Sequence, residues 1–287
     1  MNITEKIILG TVQFGYDYGI NNQTGKINEQ EVEDILRLSF SVEIKKLDTS
    51  LGYGESEAII GRVLNKYSLD FKIISKYLRS AGKVKDVFEK SLASLQVDYL
   101  YGYLVHHFTD YKDNPLIWND FIALKEYGKI EKIGFSIYSL TELNYLLDKN
   151  LSFDIVQFPY NIFDRQFTPY LEELKARKVE IHVRSVFLQG LFFKDIKSLS
   201  PIFYPLKPYL SELQNYCANK NVNIESLALW YVLQNSLIDN VLIGIDNIAQ
   251  LKKNIETAKK GLNSEDIDFV NSIIIEEKEL LNPVNWK

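Results

Sequence analysis

Four side chains have the types needed to transfer a proton to a carbonyl oxygen: Asp48, Tyr53, Lys76 and His106. A phenol has a pKa of about 10, so it is a poor acid near neutral pH. A nearby ammonium stabilises the phenolate and lowers that pKa, while a carboxylate keeps the ammonium charged and in place. An imidazole opposite the phenol can hydrogen-bond a substrate oxygen and fix its direction. If the fold brings the four together, they suit a carbonyl that receives a proton as its carbon receives a hydride.

These residues lie at or just beyond the ends of short apolar segments that predict β-strands. Asp48 and Lys76 each end such a segment, and His106 lies near the end of another. Most of the segments are near-continuous apolar runs, which is typical of parallel strands buried on both faces. The predicted strands span residues 6–12, 44–48, 71–76, 99–107, 129–137, 153–159, 179–186 and 240–245.

Stretches with helical period separate the predicted strands. Ser139, with Glu142 three residues later, predicts a capping box, and Asn247 and Gln250 have the same spacing. Eight β units that alternate with helices predict an α/β fold, a (β/α)₈ TIM barrel. The segment 263–278 predicts an additional C-terminal helix beyond the eighth strand.

A doubly wound open sheet is the competing architecture. No predicted strand is followed by a G-x-G-x-x-G turn or a Walker loop, which argues against that sheet. No low-complexity linker divides the chain, so residues 1–287 are expected to form a single barrel domain. In such a barrel the chemistry lies at the carboxyl ends of the strands.

Composition limits the other classes of function. The formal net charge is −5 with scattered Lys and Arg, which argues against a nucleic-acid partner. No apolar run reaches membrane-spanning length, and MNITEKIILG lacks the pattern of a signal peptide, so no membrane association is expected. Cys217 is the only cysteine and cannot form an internal disulfide, which favours the cytoplasm. Three histidines without zinc-ligand spacing predict no metal site. The sequence does not indicate an oligomeric state.

The sequence resembles the aldo-keto reductase superfamily along nearly its whole length. The resemblance is carried by LGTVQFG (9–15), LDTSLGYGESEAIIG (47–61), ISK (74–76), LASLQVDYLYGYLVHH (92–107), KIEKIGFS (129–136), VQFPYNIFD (156–164), LQGLF (188–192) and VLIGIDNIAQLKKNI (241–255). It implies an NAD(P)-dependent enzyme in which Tyr53 is the general acid and Lys76 its activator. Asp48 would anchor Lys76, and His106 would orient the carbonyl.

The resemblance also implies a nicotinamide cofactor that lies extended across the barrel mouth. NADP(H) is the expected form, with NAD(H) as the alternative. Gly10 and Thr11 would lie near the cofactor, Ser136 and Gln157 would hold the nicotinamide carboxamide, Gly190 and Leu191 would pass over the pyrophosphate, and Gln250 and Asn254 would address the adenine end.

Two positions depart from the family pattern. Many members carry a Lys-Ser pair for the 2′-phosphate where this chain has Gly244 and Ile245, followed by Asp246. A carboxylate there repels a phosphate, although Lys194 could supply a positive charge from the loop after the seventh strand.

Many members also stack an aromatic ring on the nicotinamide where this chain has Arg184. A guanidinium can stack too, and would favour the reduced ring or an anionic substrate.

The leading hypothesis is reduction of an aldehyde or ketone to an alcohol, with a sugar or sugar-derived carbonyl as a candidate small-molecule substrate. A Schiff-base aldolase that uses Lys76 is one alternative, because a lysine at a barrel strand end suits that chemistry. A regulatory subunit that binds the cofactor with little turnover is the other, since the potassium-channel β subunits share the fold that the resemblance implies.

Overall fold

Eight parallel strands close into a barrel in the computed structural model, which describes residues 3–20, 22 and 25–286. The strands are β1 (Ile7–Gly10), β2 (Lys46–Asp48), β3 (Lys72–Tyr77), β4 (Leu100–Val105), β5 (Ile130–Ser136), β6 (Ile155–Pro159), β7 (Glu180–Arg184) and β8 (Asn240–Gly244). Strands that follow one another in the sequence are neighbours in the barrel. The barrel closes because β1 pairs with both β2 and β8.

Helices follow the strands and surround the barrel. They are α1 (Val12–Gly15), α2 (Glu29–Ser41), α3 (Ser56–Tyr67), α4 (Val84–Leu95), α5 (Phe108–Asp113), α6 (Ile117–Glu126), α7 (Leu140–Asp148), α8 (Leu171–Ala176), α9 (Lys207–Lys220), α10 (Ile224–Leu233), α11 (Ile248–Thr257) and α12 (Ser264–Ser272). Short 3₁₀ turns occupy the long connection after β7, at Leu188–Phe193, Ile196–Ser198 and Pro201–Leu206. No helix in the described residues is long and apolar enough to cross a bilayer.

The middle of the barrel interior is apolar. A Cβ added at Gly102 would lie 3.1 Å from side-chain atoms of Ile74 and Ile155, so this face of β4 points inward. Ile8, Ile74, Leu104 and Ile155 belong to a buried cluster separate from the main core between strands and helices. Side chains alternate along a strand, so the residues two positions before and after this layer also face the interior.

That alternation places charged groups at both ends of the barrel. Towards the carboxyl ends of the strands it brings Asp48, Lys76 and Gln157 inward, and these side chains are buried. Towards the amino ends, Glu180 binds Lys132 in an ion pair and accepts a hydrogen bond from Asn240 Nδ2 at 2.8 Å. The interior is therefore layered, with two polar ends and an apolar middle.

The predicted (β/α)₈ barrel with an additional C-terminal helix is confirmed, and the closed topology excludes the open sheet. The helix α12 is shorter than the segment predicted for it, because it ends at Ser272 and Ile273 is extended. Ser139 and Glu142 form a complete capping box. At α11 the box is shifted, since Gln250 Oε1 accepts the backbone N–H of Asp246 rather than that of Asn247. The single domain over residues 1–287 stays a prediction.

Candidate active site

A cleft of about 310 Å³ opens at the carboxyl ends of the barrel strands. Asp48, Tyr53, Lys76 and His106 all line it, although they come from three different strands and loops. Asp48 ends β2, Lys76 lies one residue before the end of β3, and His106 follows β4 directly. In the strand register Asp48 pairs with Ile74 and Lys76 pairs with Leu104, so Lys76 and His106 each lie two positions further towards the carboxyl end, where chemistry in such barrels is located.

Lys76 connects the carboxylate to the phenol. Its buried ammonium forms an ion pair with Asp48, donates to the Thr49 carbonyl at 2.9 Å, and lies 3.4 Å from the hydroxyl of Tyr53. The other carboxylate oxygen of Asp48 accepts a hydrogen bond from Gln157 Nε2 at 2.7 Å. Both oxygens of Asp48 are thus engaged. These contacts hold the carboxylate in place, and the carboxylate in turn holds the ammonium of Lys76.

Burial and charge act in opposite directions on this group. Burial lowers the pKa of Lys76, but the charge of Asp48 and the contact with Tyr53 outweigh it, so that pKa lies above its ordinary value. Burial raises the pKa of Tyr53, and Lys76 only partly offsets that effect. At neutral pH the phenol therefore keeps its proton and the lysine stays charged, which is the starting state of a proton donor.

His106 faces Tyr53 across the cleft. The two rings are 5.7 Å apart and nearly perpendicular. Burial, with the charge of Lys76, lowers the pKa of His106 to about 2, so the imidazole is neutral at physiological pH. Ser50 Oγ lies 3.3 Å from His106 Nδ1 and accepts the backbone N–H of Gly52 at 3.1 Å. If the Ser50 hydroxyl donates its proton to Nδ1, the proton of the neutral ring lies on Nε2.

Most of the residues expected to hold the cofactor line the same cleft. They are Gly10, Thr11, Ser136, Gln157, Arg184, Gly190, Gly244, Asp246 and Gln250. Three others are placed elsewhere. Leu191 is buried in a hydrophobic cluster, Lys194 donates to the carbonyl of Ile20 at 2.8 Å, and Asn254 is buried in α11. Their assignment to the cofactor stays a prediction.

An unpartnered polar atom tests whether a dinucleotide fits these residues. Gln13 lines the cleft, and its Oε1 is buried with no hydrogen-bond partner among the described residues. A ribose hydroxyl supplies the complementary donor, so this end of the cleft fits the group. Asp246 lies 3.5 Å from Gln13 Nε2 at this end of the cleft.

Arg184 projects from the end of β7 into the cleft. Its guanidinium lies 3.9 Å from the centre of the Tyr138 ring, and Nη2 donates to the Ile137 carbonyl at 3.2 Å. The chain then turns through Ser185, whose φ of 62° is left-handed. The loop that follows crosses to the loop after β1, because Gln189 Nε2 donates to the hydroxyl of Tyr18 at 2.7 Å.

Several of these contacts were not predicted from the sequence. The sequence could have indicated Ser50 as a site residue, since it lies between Asp48 and Tyr53 in a loop already assigned to the site. Gln13 and Gln189 gave no such indication, because their positions depend on loop conformations rather than on strand ends. In the described part of the chain, no group of His, Cys, Asp or Glu side chains could hold a metal ion.

The sequence is similar to known proteins over most of its length. The model of the Aldo/keto reductase family matches residues 6–275. The L-galactose dehydrogenase of Arabidopsis thaliana is 26% identical, over 90% of this chain and 89% of the relative. The NADH-specific methylglyoxal reductase of Escherichia coli is 25% identical, over 87% of this chain and 89% of the relative.

Solved structures show the same architecture. The holo form of an aldo-keto reductase from Bacillus halodurans superposes with a TM-score of 0.73 at 20% identity, covering 95% of this chain and 94% of that one. With the family match over nearly all of the sequence, this fold and its cleft lead to one conclusion: the chain belongs to the aldo/keto reductase family and is an NAD(P)-dependent oxidoreductase.

Proposed function

We propose that the chain reduces a small aldehyde or ketone to an alcohol, with Tyr53 as the general acid. The observation that carries this proposal is the chain of contacts from Asp48 through Lys76 to Tyr53, with His106 opposite in the same cleft.

A reduced dinucleotide held in this cleft would supply the hydride for the carbonyl carbon. Ser136 and Gln157 line the part of the cleft next to Asp48 and would hold the nicotinamide carboxamide. His106, neutral and with its proton on Nε2, donates a hydrogen bond to the carbonyl oxygen and directs it towards Tyr53. Tyr53 then gives its proton to that oxygen, and the charge of Lys76 stabilises the phenolate that remains.

The same geometry disfavours a Schiff-base aldolase. A lysine nucleophile must be neutral to attack a carbonyl, so such enzymes lower its pKa. Here the pair with Asp48 outweighs burial and raises the pKa of Lys76, and three contacts already engage the ammonium. Lys76 is therefore better suited to stabilise a phenolate than to form a covalent adduct.

The named relatives suggest two kinds of carbonyl. One relative is named for L-galactose and another for methylglyoxal, a sugar and a small ketoaldehyde. Both support the proposal of a sugar or sugar-derived carbonyl as the substrate, with either NADPH or NADH as the hydride donor. The cytoplasmic location and the absence of a nucleic-acid partner stay predictions from the sequence.

Replacing Tyr53 with phenylalanine tests the proposed acid. We expect Tyr53→Phe to lower kcat by about 10²- to 10⁴-fold, because the proton donor is lost. A fluorescence titration with NADPH and with NADH should show that the variant still binds dinucleotide. Tyr127→Phe is the matched control, since Tyr127 is 82% exposed.

The panel for this test contains aldehydes and reducing sugars. Equal loss of activity in both variants, or full activity in Tyr53→Phe, would contradict the proposal. A wild-type protein that binds dinucleotide tightly yet reduces none of the panel would favour the regulatory role instead.

A further inference from the structure

Arg184 forms no close ion pair with a carboxylate in the described part of the chain, although its charge acts on the buried carboxyl of Asp164 and opposes the rise in the pKa of that group caused by burial. It takes part in none of the ion pairs found there. It is half-buried in the cleft, where an unpaired charge is unfavourable. A cation in this setting is stabilised by an anion that binds there.

The guanidinium is held in one orientation, and most of its N–H groups remain available to bind a ligand. It stacks on the ring of Tyr138 at 3.9 Å and makes one hydrogen bond, from Nη2 to the Ile137 carbonyl. A guanidinium has five N–H groups in a planar fork that matches a carboxylate. The stack fixes the plane of the fork, so the remaining N–H groups are already positioned for a ligand.

The charge lies at the reacting end of the cleft. It helps to lower the pKa of His106, after burial and the charge of Lys76, and it acts on Tyr53 in the same direction. Of the carboxylates that line the cleft, Asp48 is already engaged by Lys76 and Gln157, and Asp246 lies beside Gln13 at the junction with β8. An anion bound to Arg184 would therefore lie near His106 and Tyr53, the two groups proposed to contact the carbonyl.

We infer, building on the reduction proposed above, that the substrate carries a carboxylate that Arg184 binds. The substrate class is then an oxo acid or an aldehyde acid rather than a neutral carbonyl. The carboxylate takes the open side of the guanidinium fork while His106 and Tyr53 hold the carbonyl oxygen. The phosphates of the dinucleotide are the other source of such an anion, and the experiment separates the two.

The test compares charged and neutral aldehydes of matched shape. The pairs are succinic semialdehyde with butanal, and 4-carboxybenzaldehyde with benzaldehyde. The measured quantity is the ratio of kcat/KM for the charged member to that for the neutral member, in which any effect on dinucleotide binding cancels. Losing a charged hydrogen-bond partner corresponds to about 10- to 100-fold.

We expect Arg184→Gln to lower this ratio by that factor in at least one pair. Arg184→Lys should lower it less, because it keeps the charge but loses the planar fork. Arg177→Gln is the control, because Arg177 pairs with Glu173 on the exposed surface of α8 and its C-terminal end. An unchanged ratio in Arg184→Gln overturns the inference, and a weaker NADPH or NADH titration beside that unchanged ratio assigns Arg184 to the dinucleotide.

A second readout does not need turnover. Benzoate and benzamide are titrated calorimetrically into the dinucleotide-loaded protein, for the wild type and for Arg184→Gln. Preferential binding of benzoate that is lost in the variant supports the inference even if no aldehyde is reduced, in which case the proposed reduction fails and the anion site stands. Equal binding of benzoate and benzamide to the wild type overturns the anion site, whatever the activity.

Discussion

The contact between Ser50 and His106 bears on which nitrogen of the imidazole carries the proton. Ser50 is fully buried, accepts the N–H of Gly52 and lies 3.3 Å from His106 Nδ1, so its own proton is available to Nδ1. Because the ring is neutral, a proton donated to Nδ1 requires that the ring proton be on Nε2. We therefore propose that Ser50 is a positioning residue that acts through His106.

Ser50→Ala should remove the preference of His106 for carrying its proton on Nε2. We expect kcat to fall by about 5- to 10-fold, the usual effect of one hydrogen bond, with little change in KM. The chain has three histidines, so ¹⁵N NMR of labelled imidazoles can follow the tautomer of His106 directly. Ser41→Ala, at the exposed end of α2, is the control. A kcat loss without a tautomer change would show that Ser50 acts only through packing.

At the level of single residues, the sequence was informative where a strand end fixes a side chain. The residues Asp48, Lys76 and His106 were predicted to meet, and they line one cleft because each lies at or near the carboxyl end of its strand in a closed parallel barrel. The bond from Gln157 to Asp48 was not foreseen, since a periodic pattern shows which face a residue occupies but not its partner. Lys194 was expected to supply a charge to the cofactor, but it donates to the carbonyl of Ile20, and the sequence pattern does not show such a loop contact.

At the level of elements, the eight strands were predicted within a few residues because buried parallel strands are short, continuous and apolar. The helices α1 and α5 were not predicted as such, and with 4 and 6 residues they are too short to show a helical period. The connection after β7 was only described as irregular, because 3₁₀ turns have no sequence period of their own.

The junction between β8 and α11 gives a prediction about the cofactor. Asp246 lines the cleft, and no Lys or Arg does so among the described residues apart from Lys76 and Arg184. A carboxylate near the 2′-position repels the extra phosphate of NADPH but not the hydroxyl of NADH. Asp246→Ser should therefore strengthen binding of NADPH relative to NADH, by about 3- to 10-fold.

Fluorescence titration of both dinucleotides measures this ratio without turnover. Asp268→Ser, an exposed position of α12, is the matched control for a general change in net charge. An unchanged ratio of the two dissociation constants in Asp246→Ser would mean that the 2′-phosphate does not bind near β8.

At the level of the whole molecule, the two polar ends of the barrel have different roles. The carboxyl end holds the cleft, while Glu180 at the amino end is surrounded by Lys132, Tyr101, His182 and Asn240. Burial alone would raise the pKa of Glu180, but hydrogen bonds from His182, Lys132 and Tyr101 hold it well below its usual range. This network closes the barrel floor and is about 13 Å along β7 from Arg184, at the strand rise of roughly 3.3 Å per residue.

Glu180→Gln should separate stability from catalysis. The variant leaves Lys132 without its counter-charge in a largely buried site, so we expect a loss on the order of 3 kcal/mol in the free energy of unfolding at pH 7. The turnover of the folded fraction should stay close to that of the wild type, because the cleft is at the other end. Urea unfolding and initial rates measure the two quantities, and Glu173→Gln, which breaks an exposed pair with Arg177, should cost less than about 1 kcal/mol.

The pH dependence of the free energy of unfolding tests whether the charge of Glu180 stabilises the fold. A carboxyl whose folded pKa is depressed stabilises the fold above its unfolded pKa of about 4.3 and loses that contribution as pH falls towards the folded value. The difference between wild type and Glu180→Gln should therefore be largest near neutral pH and shrink below about pH 4.5. A difference that stays constant between pH 7 and the lowest pH at which the wild type is folded would mean that Glu180 contributes through its shape rather than its charge. The polar floor would then be a packing feature, and its ion pair would have no net effect on the stability of the barrel.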